Sequence, residues 1–261
     1  MTSNRSQSQT FTDNRKPDHK PVAIRKSHTS ANMPVQLLPM PQSEWDIYYD
    51  VCAAAFRPGF MSLLFPDGMS DKAKEMMVSE MRRGADRYPG RISVFKVVDT
   101  DLPDDDPFQK VIGVSQWKLF DKERTEEDFR REEEASKRDV EQYGVPPGMN
   151  TTFYEDFANV ASQYKKKHLG SKPYLLLQVL ATRPDQGRKG VGALSMKWGC
   201  DKADQLGIPA YLEGSPMGQG LYRKWGFEDV DVLPFDARKY GFHDELRHMC
   251  MKRQPKEDAS S

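Results

Sequence analysis

Apolar residues along this chain alternate, recur every three to four positions or run unbroken, and each rhythm predicts an element. Residues 1–32 carry almost no large apolar side chains, so ordering them would gain too little burial to offset the lost entropy. A disordered tail is expected there, and Met33 opens the patterned part. Residues 35–38 read as a strand. Ser43 stands where it would cap a helix whose apolar positions Trp45, Tyr49, Cys52 and Phe56 recur at helical spacing. The aromatic stretch 60–65 is too short for a long helix. Ser70 opens another, with Ala73, Met77, Met81, Ala85 and Tyr88 on one face and Pro89–Gly90 as its stop. Residues 92–98 and 111–119 read as strands, joined through the acidic segment 99–107 as a long hairpin.

Residues 122–141 mix both charge signs with few apolar anchors, the pattern of a solvated helix laced with ion pairs. After Pro146, Pro147 and Gly148, a stripe of Phe153, Phe157, Val160 and Tyr164 leads into Lys165, Lys166, Lys167 and His168. Cations at a helix C-terminus are favoured by its dipole, so this cluster requires no ligand, although the helix is placed to roof a site built by the segments C-terminal to it. Together, residues 121–170 read as a helical insertion between the third and fourth strands.

Residues 174–181 are nearly unbroken apolar, as in a central strand covered on both faces. Residues 186–193 then place Gly187, Gly190 and Gly192 with Arg188 and Lys189 before a helix whose stripe is Ala193, Met196, Cys200, Ala203 and Leu206. Gly207 caps it and Pro209 prevents its continuation. Residues 210–213 form a short strand, and Ser215 with Pro216 reads as the N-cap and first position of a short helix ending at Gly226.

Lys plus Arg equal Asp plus Glu at 39 each in 261 residues, so no global field would hold nucleic acid or an anionic membrane, and neither is expected as a partner. Cys52, Cys200 and Cys250 lack Cys-x-x-Cys spacing. Neither a metal site nor a disulfide framework is expected, and reduced, buried thiols in a cytoplasmic protein are. No run reaches the roughly 18 apolar residues of a membrane helix, and the N-terminus has no apolar segment of a secretory signal.

The chemistry concentrates in residues 174–227, YLLLQVLATRPDQGRKGVGALSMKWGCDKADQLGIPAYLEGSPMGQGLYRKWGF. Unpaired N–H groups at a helix N-terminus bind phosphate, and glycines let a pyrophosphate approach the main chain. A dinucleotide-binding fold is the competing reading, since Gly190, Gly192 and Ser195 approximate Gly-x-Gly-x-x-Gly/Ala with Glu213 about twenty residues onward. Its glycines, however, come late and after a long loop. Tyr222 is either a packed aromatic or a proton donor. Glu213 is either a structural acceptor or a general base.

The order of strand, glycine loop, helix, strand and Tyr-x-x-x-Gly-Phe resembles the GCN5-related N-acetyltransferase (GNAT) superfamily over residues 34–253. The segment YLEGSPMGQGLYRKWGF and the terminal HMCMKR are further similar to its puromycin N-acetyltransferase-like and fungal branch. The resemblance implies an α/β (α+β) fold with a mixed, mostly antiparallel central sheet of six to seven strands flanked by helices. It places the domain at 33–254, with a disordered C-terminus at 255–261. It implies acetyl-CoA as co-substrate and no metal, with the pyrophosphate held by Gly187, Arg188, Lys189, Gly190, Val191, Gly192 and Ala193. The pantetheine arm would lie on the backbone of Val179, Leu180, Ala181 and Thr182. Gly190 and Gly192 match the family's Gln/Arg-x-x-Gly-x-Gly/Ala, whereas Gly187 stands where the family prefers Gln or Arg. Tyr222 matches the tyrosine that protonates the departing thiolate, and Glu213 is the carboxylate best placed as base. The expected activity is direct acetyl transfer to a small-molecule amine by a monomer or homodimer. A silent acetyl-CoA-binding regulator and a peptide N-acetyltransferase are the alternatives. Trp117, Phe56, Phe60 and Phe65 either line an apolar acceptor pocket or, as aromatics at such positions more often do, pack in the core.

Overall fold

The structure, a computed structural model, describes residues 34–242 and 247–256. The expected tail 1–32 and residues 257–261 lie outside them. Strands β1 (Val35–Pro39), β2 (Ile92–Asp99), β3 (Val111–Phe120), β4 (Tyr174–Thr182), β5 (Ala210–Gly214), β6 (Glu228–Val232) and β7 (Met249–Arg253) form one seven-stranded sheet ordered β1-β2-β3-β4-β5-β7-β6. Every neighbouring pair is antiparallel except β4 and β5. A dinucleotide-binding fold needs a mostly parallel sheet, so that reading falls.

One face of the sheet carries helices α1 (Trp45–Ala55) and α3 (Asp71–Arg87), linked through the short α2 (Phe60–Leu64). They lay Tyr48, Val51, Val78 and Met81 on Val94 and Val114. The same face is covered farther along by α5 (Thr151–Leu169), whose Phe157, Val160 and Tyr164 pack on Tyr174, Leu176 and Tyr211. The opposite face takes α6 (Val191–Leu206) and α7 (Pro216–Lys224), with Met196, Cys200, Ala203 and Tyr222 against Trp117, Leu175, Leu177 and Leu212. Two glycines bring α6 close. A Cβ on Gly199 would stand 2.1 Å from the Trp117 ring, and one on Gly113 would stand 2.4 Å from Val191 Cγ1.

Local chemistry accounts for most boundaries and corrects several. Ser70 caps α3 by accepting from Ala73 N at 3.2 Å. Ser43 does not cap α1, because a 3-10 turn over Gln42–Glu44 precedes the helix and leaves Glu44 at its N-cap position. The charged helix α4 (Glu126–Tyr143) starts later than its charge pattern, where Thr125 and Asp128 form a reciprocal capping box. It buries only Ala135, and pairs such as Arg131–Glu127 and Lys137–Glu133 ladder its surface. Ser215 occupies the N-cap of α7 without a side-chain hydrogen bond. The described residues run past 254, and Lys256 N donates to Asp204 Oδ1 at 2.7 Å. Cys52, Cys200 and Cys250 are buried and unbridged. Among the described residues no helix is long and apolar enough to cross a membrane.

Candidate functional site

The site begins with a gap in the sheet. β4 and β5 pair only over Leu175–Leu177 and Ala210–Leu212. At that level β4 carries a bulge: Trp117 faces Leu177 and Gln116 faces Val179, so Gln178 is the extra residue. A bulge bends its strand and increases the local twist, which turns β4 away from β5. Val179, Leu180, Ala181 and Thr182 pair with β3 on one edge and meet no strand on the other. The expected pantetheine strand therefore offers a row of open backbone groups.

Beyond Thr182 the chain enters the glycine loop, fixed to the hairpin loop between β2 and β3 by Arg183. The Arg183 guanidinium donates to both Asp106 oxygens at 2.9 Å and to Asp185 Oδ2 at 2.7 Å, and it lies 4.4 Å from the Phe108 ring centroid. Sequence reasoning does not single out this arginine, although its place at the end of an apolar strand is a visible signal. Gly190 then adopts φ 87°, a left-handed conformation that favours glycine, and starts α6 without any side-chain cap. The first helical hydrogen bond is Leu194 N to Gly190 O at 3.0 Å, so the N–H groups of Val191, Gly192 and Ala193 point forward unclaimed by the helix.

The loop residues divide by role. Arg188 is exposed and makes no ion pair among the described residues. Lys189, expected to add charge around a pyrophosphate, pairs with the buried Asp99 at 2.6 Å. That contact pulls the Asp99 carboxyl below its ordinary range. Gly192 is needed for packing, since a Cβ there would stand 2.6 Å from Leu221 Cδ2 on α7. Gly187 has an ordinary φ of −60° at the N-terminal end of the turn, and a Cβ there would meet only Pro184 O at 4.0 Å. An uncapped helix N-terminus, an adjoining free guanidinium and an open strand edge fit a pyrophosphate with an extended arm.

Tyr222 and Glu213 flank the gap from opposite faces. Tyr222 belongs to the layer under α6 and α7, where its ring lies over Gly214 and Gly218. A Cβ on Gly218 would stand 3.0 Å from its hydroxyl, so glycine makes room for the phenol. The hydroxyl makes no hydrogen bond among the described residues, and burial pushes its pKa up to about 12. Glu213 follows Tyr211 by two residues and shares its face, under α5. Its Oε1 lies 3.4 Å from Lys165 Nζ. Burial raises the Glu213 carboxyl above its ordinary range, while the Lys165 ammonium and the Tyr211 hydroxyl pull it back. Helix α5 thus reaches over the site, and its basic end finds partners throughout. Lys166 meets Glu126, and both Lys167 and His168 meet Asp231.

On the α5 face the sheet floor is open. Gln178 is the only exposed residue of β4, although it lies in mid-strand at the centre of the sheet. On this face Glu80 of α3 acts electrostatically on Tyr49 of α1 and Tyr154 of α5, and Lys118 of β3 acts on Glu80. Tyr154 is 42% exposed, yet burial pushes its pKa up to about 12. Glu80 is likewise exposed, and burial raises its carboxyl. Groups that touch solvent while protein displaces most of their water line a recess. Of the four aromatics considered for an acceptor pocket, two take the core alternative outright. Trp117 and Phe65 are fully buried, the first under α6 and the second beside α2, while Phe56 and Phe60 pack on the cluster around α2.

No protein-family model matches the chain. Over 43 residues it is 40% identical to a probable acyltransferase, SID5, of Ajellomyces capsulatus. That stretch covers 16% of this chain and 32% of the relative, so the match spans about a third of the relative's length. Among solved structures, the histone acetyltransferase HPA2 and related acetyltransferase of Corynebacterium glutamicum superposes with a TM-score of 0.52 at 17% identity, covering 87% of this chain and 99% of that one. The C-terminal condensation domain of Ebony, solved with beta-alanyl-dopamine, gives 0.57 at 11% identity over 85% and 99%. An agmatine N-acetyltransferase gives 0.52 at 13% identity over 84% and 97%.

Proposed function

We propose that this chain, which has the GCN5-related N-acetyltransferase fold, transfers an acetyl group from acetyl-CoA to a small-molecule amine. The observation that carries this reading is the gap between β4 and β5, which opens toward an uncapped α6 N-terminus and has Tyr222 on one face and Glu213 on the other. Acetyl-CoA supplies the activated acetyl thioester. The N–H groups of Val191, Gly192 and Ala193, with Arg188, hold its pyrophosphate, and the open edge of Val179–Thr182 receives its extended arm. Lys189 supports the loop through Asp99 instead of touching phosphate.

The two flanking residues then divide the proton work. An alkylamine is mostly protonated at neutral pH and must lose a proton before it attacks. Glu213, its carboxyl raised by burial and tempered by Lys165, accepts that proton directly or through a water on the recessed face. A main-chain N–H of β4 near Leu180 or Ala181 donates to the carbonyl oxygen as charge develops on it. Tyr222, kept as a neutral phenol by its buried site, gives its proton to the departing sulfur from the opposite face. A thermal-shift comparison tests the donor: stabilisation by CoA and acetyl-CoA, and none by NAD(P), is expected, and the reverse pattern would end this reading.

A further inference from the structure

Resting on the acetyltransferase reading, we propose that the acceptor carries a carboxylate several carbons from its reacting amine, and that Lys118 receives that carboxylate. Lys118 lies on β3 opposite Ile92 of β2 and Leu176 of β4. The alternation Val114, Gln116, Lys118 places it on the recessed face beneath α5. It is half-buried and makes no hydrogen bond or ion pair among the described residues. Glu80 and Glu132 act on it only from beyond ion-pair distance, and Lys165 and Arg91 bring further positive charge. Burial first, and the Lys165 ammonium second, depress its pKa.

A lysine held there without a bonded anion is costly, and leucine or methionine between Ile92 and Leu176 would avoid that cost. The other lysine of the recess, Lys165, already shares its charge with Glu213. Gln116 is satisfied as well, accepting from Tyr48 and donating to Met81 Sδ. Lys118 is therefore the cation of this floor with capacity for an incoming anion. It stands one strand over from Gln178 and two residues deeper, or roughly 8 Å from that residue by strand spacing and rise. That separation suits an amine at the gap and a carboxylate several carbons away, as in an ω-amino acid.

The test measures free CoA released from acetyl-CoA with ω-amino acids of three to six carbons and with n-alkylamines of equal length. At least one amino acid is expected to exceed its alkylamine by tenfold or more in kcat/KM. Lys118→Met is expected to bring that ratio close to one, and Lys118→Arg to keep most of it. Acetyl-CoA thermal shifts on each variant show that the fold and donor site persist. Equal rates for both classes with the wild-type protein, or a preference that survives Lys118→Met, would overturn the proposal. If neither class releases CoA while acetyl-CoA still stabilises the protein, this inference is overturned, and the transferase reading stands or falls on other amines.

Discussion

Lys165, near the end of the second insertion helix, sets its ammonium 3.4 Å from Glu213 Oε1 at the end of β5, with the two side chains 24% and 11% exposed. An inserted segment thus touches the carboxylate proposed as base and sets how strongly that carboxylate holds a proton. Burial raises the Glu213 pKa and Lys165 opposes the rise. Replacing Lys165 with Met removes the largest influence that opposes burial, so the acid limb of the kcat/KM profile is expected to move to higher pH. A limb that stays in place after Lys165→Met would show that Glu213 is not the base.

Tyr222→Phe keeps the ring over Gly214 and Gly218 and removes only the hydroxyl. Loss of the acid is expected to lower kcat by about 100-fold or more, with acetyl-CoA affinity changed little. Steady-state kinetics together with calorimetric titration of acetyl-CoA separate the two effects. Unchanged kcat would leave Tyr222 as a packed aromatic.

The two outer glycines of the cradle should respond oppositely. A Cβ on Gly192 would stand 2.6 Å from Leu221, so Gly192→Ala is expected to cost about 1–3 kcal/mol in stability and to weaken acetyl-CoA binding. Gly187 has open space and an ordinary backbone, so Gly187→Gln fits without strain. Its amide donors are expected to tighten acetyl-CoA binding several-fold, as read by titration.

Acid should weaken the fold through paired carboxylates. Arg253 donates to both Asp204 oxygens at 2.7 Å and lowers the Asp204 pKa, and Lys189 does the same for Asp99. A carboxyl with a depressed folded pKa contributes stability that is complete above its unfolded value of about 3.9 and is lost as pH falls through the folded one. Tm is therefore expected to drop below about pH 4. Asp204→Asn, which lacks the charge, is expected to cost about 1–3 kcal/mol at neutral pH and to flatten that drop.

Much of the fold is legible in the sequence because its signals are local. The unbroken run ending at Ala181, Gly190 ahead of the α6 stripe, Gly207 after it and Ser70 before α3 each fix a boundary through their own chemistry. The site is less legible because its partners are remote. Lys165 and Glu213 are 48 residues apart, and Lys189 and Asp99 are 90 apart, so composition alone reads the first lysine as a dipole cap and the second as a phosphate contact. The bulge at Gln178 is hidden inside an apolar run, and only pairing with β3 shows that this residue opens the floor. Ser43 fails as a cap because a 3-10 turn takes the place where its helix would begin.

The most direct test of the central claim is release of free CoA from acetyl-CoA by the full chain across a panel of small amines, with acetylated product identified by mass spectrometry. Amine-dependent release that collapses in both Tyr222→Phe and Glu213→Gln is expected. Acetyl-CoA binding with no amine-dependent release from any member of the panel would contradict it and leave a binding protein in place of the enzyme.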